Sequence, residues 1–349
     1  MREIRQNLIT KDWVIFATER AKRPHEFADP DFHKHQPLPA YRSDCPFCVG
    51  NENDGTVETL RLPEPKGKGW QVRVTANKYP ALSVIGERIR KNQGLHHSVT
   101  AVGYHEVIIE HPLHSQTLAL MPVTDVAHVI TAYRSRYRSI QQDPRIEAIV
   151  IFKNHGVKAG ISLEHSHSQL AGLPIVPFQF RMRIDAAIRY FDDYGSCLFC
   201  RTIEDELQTG ERVVAQNEHF VAFIPYAALS PFHLWIFPLR HCASFADISD
   251  QEISSLAEIL KTVLAKLYFA LGNPDYNFTI RSSPTSEQDT EYFHWYLAIV
   301  PHVTRIAGFE LGSGMYINTS MPEDSARFLR EQQIPDLGSL IYNQKLLSV

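Results

Sequence analysis

The sequence has no apolar run approaching the roughly 20 residues that a membrane-spanning helix needs. Residues 1–5 also lack the apolar core of a secretory signal. Positive charge is not in excess either, because 35 lysines and arginines stand against 39 aspartates and glutamates. Such a balance offers no basic field for a polyanion. We therefore expect a cytoplasmic protein whose partners include neither a membrane nor nucleic acid.

Cysteine is scarce as well, with five among 349 residues. In a reducing cytoplasm these are expected to be thiols or metal ligands rather than disulfides. Hydrophobic residues make up 44% of the chain and charged residues 21%, as in an ordinary globular protein. The length leaves room for one large domain or two medium ones.

Four of the cysteines form two C-x-x-C pairs that lie 152 residues apart, at Cys45/Cys48 and Cys197/Cys200. Each pair is followed by the same order of elements, and each series ends in a histidine cluster. The matching elements are, in the first half, a strand at 106–110, a helix at 123–142 and a strand at 148–152, and, in the second, a strand at 232–237, a helix at 250–271 and a strand at 276–280.

Histidines keep similar intervals in the two halves, with 51 residues from His114 to His165 and 53 from His241 to His294. This repetition predicts an α+β fold made of a duplicated unit, with antiparallel sheets and helices packed on one side. We expect the domains to be residues 1–185 and 186–349, joined by a helix near 181–194.

Two C-x-x-C pairs in register, each followed by two histidines at strand ends, favour metal binding over a redox pair or buried small residues. Cys2His2 is a closed structural zinc set with no place for water. The sequence therefore predicts two structural zinc ions. The first set is Cys45, Cys48, His114 and His165, and the second is Cys197, Cys200, His241 and His294.

Other histidines are alternative ligands if one of these is misassigned, and Cys242 is most simply a buried small residue. A zinc finger is disfavoured because its ligands are local, whereas each of these sets spans about 100 residues. The alternative histidines are His96, His97, His111, His155 and His302.

The segment 165–169, HSHSQ, is the most informative stretch. On an extended backbone His165, His167 and Gln169 share one face, with Ser166 and Ser168 turned away. His165 can then bind metal while His167 projects into a cleft as a neutral nucleophile. Gln169 can donate to a nonbridging phosphate oxygen without titrating. The alternative for His167 is another metal ligand or a satisfied core histidine.

Three further features are compatible with a bound phosphate. Gly156 and Gly160 allow the backbone to approach closely, and Ser162 is a hydroxyl donor. Arg20 and Arg23 carry guanidinium forks that match phosphate oxygens. A solvated surface is the alternative for this basic run.

Five motifs follow one another along the chain, at residues 15–24 (IFATERAKRP), 45–48 (CPFC), 74–80 (VTANKYP), 113–115 (LHS) and 165–169 (HSHSQ). This ordered set resembles the galactose-1-phosphate uridylyltransferase family of the histidine-triad superfamily, over nearly the whole chain. The resemblance implies the first zinc set, His167 as nucleophile and Gln169 as the residue that steadies its nucleotidylated form. It implies nucleotide or phosphate contacts by Asn77, Asn154, Gly160, Ser162, Arg20 and Arg23.

The family's two-step reaction would follow. The nucleophile displaces a sugar 1-phosphate from a nucleotide sugar, and a second sugar 1-phosphate recovers the nucleotide; a homodimer is also implied. Where the first half has His165 and His167, the second has His294 and Tyr296, so only the first half should react.

Two departures concern the substrates. Ser166 and Ser168 stand where the best-known members have proline and glycine, and residues 308–318 and the second zinc set resemble the ADP-glucose phosphorylase branch. We favour transfer of uridylyl from UDP-glucose to galactose 1-phosphate, with adenylyl transfer from ADP-glucose to inorganic phosphate as the alternative. The rival classes are a histidine-triad hydrolase and a non-enzymatic zinc-stapled nucleotide-binding module.

Overall fold

The computed structural model describes residues 2–20, 27, 38–52, 55–64, 67 and 69–335. Its first nine strands are β1 (Arg2–Gln6), β2 (Trp13–Ala17), β3 (Glu58–Pro63), β4 (Trp70–Ala76), β5 (Arg90–Gln93), β6 (His96–Val99), β7 (Tyr104–Ile109), β8 (Ala148–His155) and β9 (His167–Leu173). The other six are β10 (Val213–Gln216), β11 (Phe220–Phe223), β12 (Leu234–Pro238), β13 (Tyr276–Arg281), β14 (Tyr296–Pro301) and β15 (Tyr316–Asn318). The helices are α1 (Val123–Ile140), α2 (Phe178–Tyr194), α3 (Leu198–Thr209), α4 (Asp250–Leu271), α5 (Gly308–Ser313) and α6 (Pro322–Glu331).

Ten strands form one antiparallel sheet in the order β10-β11-β12-β14-β13-β8-β9-β7-β4-β3. From its outer edge inward, the first half has the order β3-β4-β7-β9-β8 and the second half β10-β11-β12-β14-β13. If the five strands of each half are counted along the chain, both halves therefore have the order first, second, third, fifth, fourth. The helix before the fourth strand is α1 in one half and α4 in the other. The two halves meet where β8 pairs with β13, Asn154 opposite Asn277. The predicted α+β class and its duplicated unit are confirmed.

One face of the sheet packs on α1 and α4, which form the main core with alternate residues of the strands, such as Ile151, Leu170 and Ile236. The expectation of helices on one side is incomplete, because α2 and α3 cover part of the opposite face in the second half. Apolar residues on that face, Trp235 and Phe237, pack there. In the first half, the corresponding face carries polar side chains such as His167 beside a small apolar cluster.

Local signals explain the element boundaries. The helix α4 begins after Ser249, whose side chain accepts from Glu252 N while Glu252 caps it in return. It ends at Gly272, at a φ of 72°. The predicted strand at 232–237 begins two residues late, because Phe232 has a φ of 62° and cannot lie in a strand. Within the described ranges, no helix is both long and apolar enough to cross a membrane.

The first strands attach to the second half. The strands β1 and β2 form a hairpin, and β15 adds parallel to β2. The guanidinium of Arg5 lies 4.1 Å from the ring centre of Tyr226 and pairs with Glu323 at 2.9 Å. The division at residue 185 stays a prediction, and this hairpin shows that the two sequence halves share contacts.

Candidate active site

Four predicted ligands meet at the start of β9. The ligand atoms of Cys45, Cys48, His114 and His165 all lie within 4.8 Å of one another, and all four residues are buried. The distance from Cys45 Sγ to His165 Nδ1 is 3.6 Å, and Cys48 Sγ is 3.6 Å from the Nδ1 of both histidines. Tetrahedral zinc, with sulfur at about 2.3 Å and nitrogen at about 2.0–2.1 Å, has S···N edges of about 3.6 Å. The group fits such an ion.

The protonation of His165 suits a metal ligand. Its Nε2 donates to the carbonyl of His111 at 2.7 Å, which leaves Nδ1 facing the two thiols without a proton. Burial lowers the pKa of His165 to about 4. The ring is therefore neutral near pH 7, which is the form that binds metal.

The second group contains three of its four predicted ligands, Cys197, Cys200 and His241. Cys200 Sγ lies 3.2 Å from His241 Nδ1, and His241 Nε2 donates to Thr290 O. His294 is outside this group. Its ring centre is 5.4 Å from that of His241, but its Nδ1 donates to the carbonyl of Trp295 and its buried Nε2 has no hydrogen-bond partner among the described residues. The ligand role of His294 stays a prediction.

Other residues outside both groups have local partners. Cys242 is buried, and its thiol donates to Ser244 O at 3.2 Å, which agrees with a small buried side chain. The His155 ring stacks on Tyr276, with ring centres 4.7 Å apart.

His167 is the first residue of β9 and is only 6% exposed. Its Nδ1 donates to the carbonyl of His165 at 2.8 Å, so the proton is on Nδ1 and the lone pair is on Nε2. Burial lowers the pKa of His167, which favours this neutral form. Phe47, between the two cysteines of the first group, packs edge-on against its ring. The loop that carries Cys45 and Cys48 therefore also shapes the surroundings of His167.

Gln169 lies on the same face as His167, as the alternation predicts. Its Oε1 accepts from His105 Nε2 at 2.8 Å and from Asn77 Nδ2 at 3.4 Å. His105 Nδ1 accepts in turn from Ala81 N, which places the His105 proton on Nε2. The amide oxygen of Gln169 is thus held, and its amide nitrogen is the group left to donate.

His105 was not predicted as a site residue. The alternation of β7 contains the signal, because Val107 pairs with Gln169 and Ile109 pairs with His167. His105, two residues before Val107, therefore shares their face.

The end of β8 and the loop after it contain the other predicted phosphate contacts. Asn154 accepts from Asn277 Nδ2 at 2.8 Å, and its own amide reaches Gly160 O at 3.5 Å. Gly156 and Gly160 have φ values of 86° and 90°, which glycine adopts without strain. Ser162 is exposed. One face of the sheet carries Asn77, Asn154 and Gln169. Arg23 lies outside the described residues, and nothing is described of the Arg20 side chain.

Ser166 and Ser168 point to the opposite side, as predicted, where a buried polar network lies behind β9. The Lys153 ammonium contacts Glu110 Oε2 at 2.6 Å, Ser166 Oγ at 3.1 Å and the carbonyl of His167 at 3.0 Å. Tyr133 OH bonds Ser168 Oγ at 2.6 Å and Glu110 Oε1 at 3.2 Å. These contacts hold the backbone on both sides of His167. They were not predicted from the sequence.

Burial on its own would raise the pKa of Glu110, but Lys153 reverses this and holds that pKa below its ordinary value. Replacing Lys153 with methionine would leave a buried carboxylate without its cation. We expect K153M to lower the free energy of unfolding by about 3–5 kcal/mol, measured by urea denaturation. The exposed Lys91→Met is the matched control and should change it by less than about 0.5 kcal/mol. Adding E110Q to K153M should recover part of the loss; equal effects of K153M and K91M would contradict the role of the pair.

Comparison with known proteins agrees with this geometry. The family model for the galactose-1-phosphate uridyl transferase N-terminal domain matches residues 1–177, and that for the C-terminal domain matches residues 183–333. The duplicated sheet, the Cys2His2 group and these matches together define a two-unit α+β transferase. The chain belongs to the galactose-1-phosphate uridylyltransferase family of enzymes.

Relatives of two activities are similar to the chain. The ADP-glucose phosphorylase of Arabidopsis thaliana is 37% identical over 94% of this chain and 92% of its own length. The galactose-1-phosphate uridylyltransferase of Thermotoga maritima is 28% identical over 96% of this chain and 99% of its own length. The crystal structure of an Arabidopsis thaliana ADP-glucose phosphorylase with bound ADP-glucose superposes with a TM-score of 0.81, at 34% identity, covering 96% of this chain and 99% of that one.

Proposed function

We propose that this enzyme transfers a nucleoside monophosphate from a nucleotide sugar to a phosphate-bearing acceptor through a nucleotidyl-histidine on His167. The observation that carries the proposal is the hydrogen bond from His167 Nδ1 to the carbonyl of His165. That carbonyl belongs to a residue of the Cys2His2 group, so the imidazole is oriented from a fixed point. Its Nε2 lone pair is available without a general base.

In the first step, Nε2 attacks the α-phosphorus and a phosphorus–nitrogen bond forms. The bond from that phosphorus to the bridging oxygen breaks, and its electron pair leaves on the sugar 1-phosphate. In the second step, an acceptor phosphate oxygen attacks the same phosphorus and the pair of the phosphorus–nitrogen bond returns to Nε2. Gln169, held through Oε1 by His105, donates its amide N–H to a nonbridging oxygen as negative charge builds up.

The donor and acceptor that similarity supports best are ADP-glucose and inorganic phosphate, because the phosphorylase is 37% identical and the uridylyltransferase 28%. This reverses the order favoured by the motifs alone. Transfer from UDP-glucose to galactose 1-phosphate is the second candidate, supported by the family models on both halves.

Zinc is the ion proposed for both Cys/His groups, on the donor set and the S···N distances of the first. The ion supplies no step of the transfer; when bound, it fixes His114 and His165 and ties residues 45–48 to the start of β9. A homodimer and a cytoplasmic location stay predictions.

Mixing the enzyme with ADP-glucose is expected to place adenosine monophosphate on the peptide that contains His167, detected by mass spectrometry. Labelled glucose 1-phosphate should then exchange into ADP-glucose in the absence of inorganic phosphate, because the first step is reversible. UDP-glucose is the matched donor, and a uridine adduct formed in its place would select the second candidate. Loss of the nucleotide to water without exchange would instead indicate a hydrolase.

A further inference from the structure

A cavity of about 450 Å³ lies on the second half, on the sheet face that in the first half carries His167. Its floor is formed by β12, β13 and β14. The helix α2, the turn after β1 and residues 302–317 form its walls. The volume is in the range of small-molecule pockets, which is about 300–1,000 Å³.

The internal repeat relates this cavity to the proposed catalytic site. Tyr296 follows His294 by two residues, as His167 follows His165, and Arg281 pairs with Tyr296 across β13 and β14. In the first half, Phe152 of β8 pairs with Gln169 of β9. Because the two strands are antiparallel, Asn154, two residues after Phe152, lies opposite His167, two residues before Gln169. Arg281 and Tyr296 therefore occupy the positions of Asn154 and His167. The second site has kept a polar pocket and exchanged its nucleophile for a phenol.

Two arginines line the cavity without a carboxylate partner. Arg281 and Arg183 make no ion pair within 4.0 Å in the described part of the chain. Arg183 Nε donates to Tyr296 OH at 3.0 Å and its Nη1 to Gln179 O at 2.6 Å. Arg281 Nη1 reaches Gln179 Oε1 at 3.4 Å, while its buried Nε has no partner among these residues. Their charge faces the cavity uncompensated, which is costly unless an anion binds there.

Neighbouring groups do not remove this charge. Burial, with a contribution from Arg183, lowers the pKa of Arg281 to about 10, which leaves it protonated at neutral pH. His233 is neutral because burial lowers its pKa to about 3. Glu310 also lines the cavity and keeps its negative charge, but one of its oxygens accepts from Ala307 N at the start of α5, and it forms no ion pair within 4.0 Å with Arg183 or Arg281.

Two hydroxyls at the same cavity are also without partners. Thr10 Oγ1 and Ser230 Oγ are buried and form no hydrogen bond with the described residues. Buried polar atoms in native proteins are nearly all satisfied, so three unpartnered atoms around one cavity indicate a polar occupant. A ligand with several acceptor oxygens would satisfy the guanidinium and both hydroxyls.

We propose that this cavity is a non-catalytic binding site for a phosphorylated small metabolite, with the phosphate between Arg183 and Arg281. Guanidinium groups match phosphate oxygens through paired hydrogen bonds. The cavity is larger than a phosphate needs, which leaves room for an attached group of sugar size. No imidazole stands at the position of His167, so the ligand is held and not turned over.

The test uses full-length His167→Ala with ADP, and separately UDP, at a concentration where labelled nucleotide binds one equivalent per chain, so that the first site is filled, the second stays open and no transfer occurs. Equilibrium dialysis with labelled inorganic phosphate, and in parallel with labelled glucose 1-phosphate, is expected to find one remaining phosphate group per chain. Binding of both probes would mean that the site recognises the phosphate alone. Binding of glucose 1-phosphate only would mean that it recognises the sugar as well. Binding of neither would overturn the proposal.

Adding Arg281→Gln or Arg183→Gln to this protein should weaken the remaining binding about tenfold or more, the scale of a charged hydrogen bond. Arg201→Gln, on the exposed surface of α3, is the matched control and should have no effect. Unchanged binding in both variants would overturn the proposal. If a variant fails to fold, crystals of the unmodified protein soaked in tungstate decide: an anomalous peak between Arg183 and Arg281 supports the site, and its absence at a filled first site refutes it.

Discussion

Replacing His167 with alanine is expected to reduce nucleotidyl transfer by about 10³-fold or more and to leave the fold intact. The imidazole is proposed to form a covalent bond to phosphorus, and His105 on the same face has both of its ring nitrogens in hydrogen bonds with Gln169 and Ala81. Its side chain is not one of the four clustered ligands, so metal content should not change. Initial rates with ADP-glucose and inorganic phosphate give the loss, and metal analysis with circular dichroism checks the fold.

The matched control is His97→Ala, which replaces an exposed histidine on the hairpin of β5 and β6. It should retain the full rate. The adduct on the His167 peptide should disappear in H167A and persist in H97A. Turnover by H167A at the unmodified rate would eliminate the covalent mechanism, whichever nucleotide the enzyme uses.

The regular alternation of a strand made the face of His167 predictable. Period two puts His167 and Gln169 on one side and Ser166 and Ser168 on the other, and the hydrogen bonds follow that division. The duplication was also predictable, because the motifs that recur at matching intervals in the sequence belong to elements that have the same strand order in both halves of the sheet. Both inferences depend on local periodicity or on repetition, which a linear sequence records directly.

Contacts between distant residues were not predictable in the same way. Lys153 and Glu110 are 43 residues apart, and only the pairing of β7, β8 and β9 brings them together behind β9. That Arg281 has no ion-pair partner among the described residues likewise depends on what α2 and the turn after β1 leave open. The position of His294 matches the repeat. Whether one of its ring nitrogens faces the two cysteines depends on side-chain orientation, which sequence spacing does not determine.

Replacing Cys48 with serine is expected to release the first metal ion and to destabilise the protein severely. Cys48 is fully buried, and its sulfur is 3.6 Å from Nδ1 of both His114 and His165, so the change removes one of the four clustered donors. Apparent binding free energies for structural zinc are about 10–16 kcal/mol, comparable to the roughly 5–15 kcal/mol that stabilises a whole domain. Losing even part of this should lower the urea midpoint markedly. Elemental analysis should find one equivalent of zinc fewer.

Cys242→Ser is the matched control, because Cys242 is also buried but lies in neither cysteine–histidine group. It should keep its full metal content. Transfer should be lost in C48S beyond what unfolding explains, because the carbonyl that orients His167 belongs to His165, a ligand in the same group. Adding zinc should restore a chelator-treated unmodified enzyme and fail to restore C48S. Full metal content and an unshifted midpoint in C48S would mean that these four side chains hold no ion, and the orientation of His167 would then depend on hydrogen bonds alone.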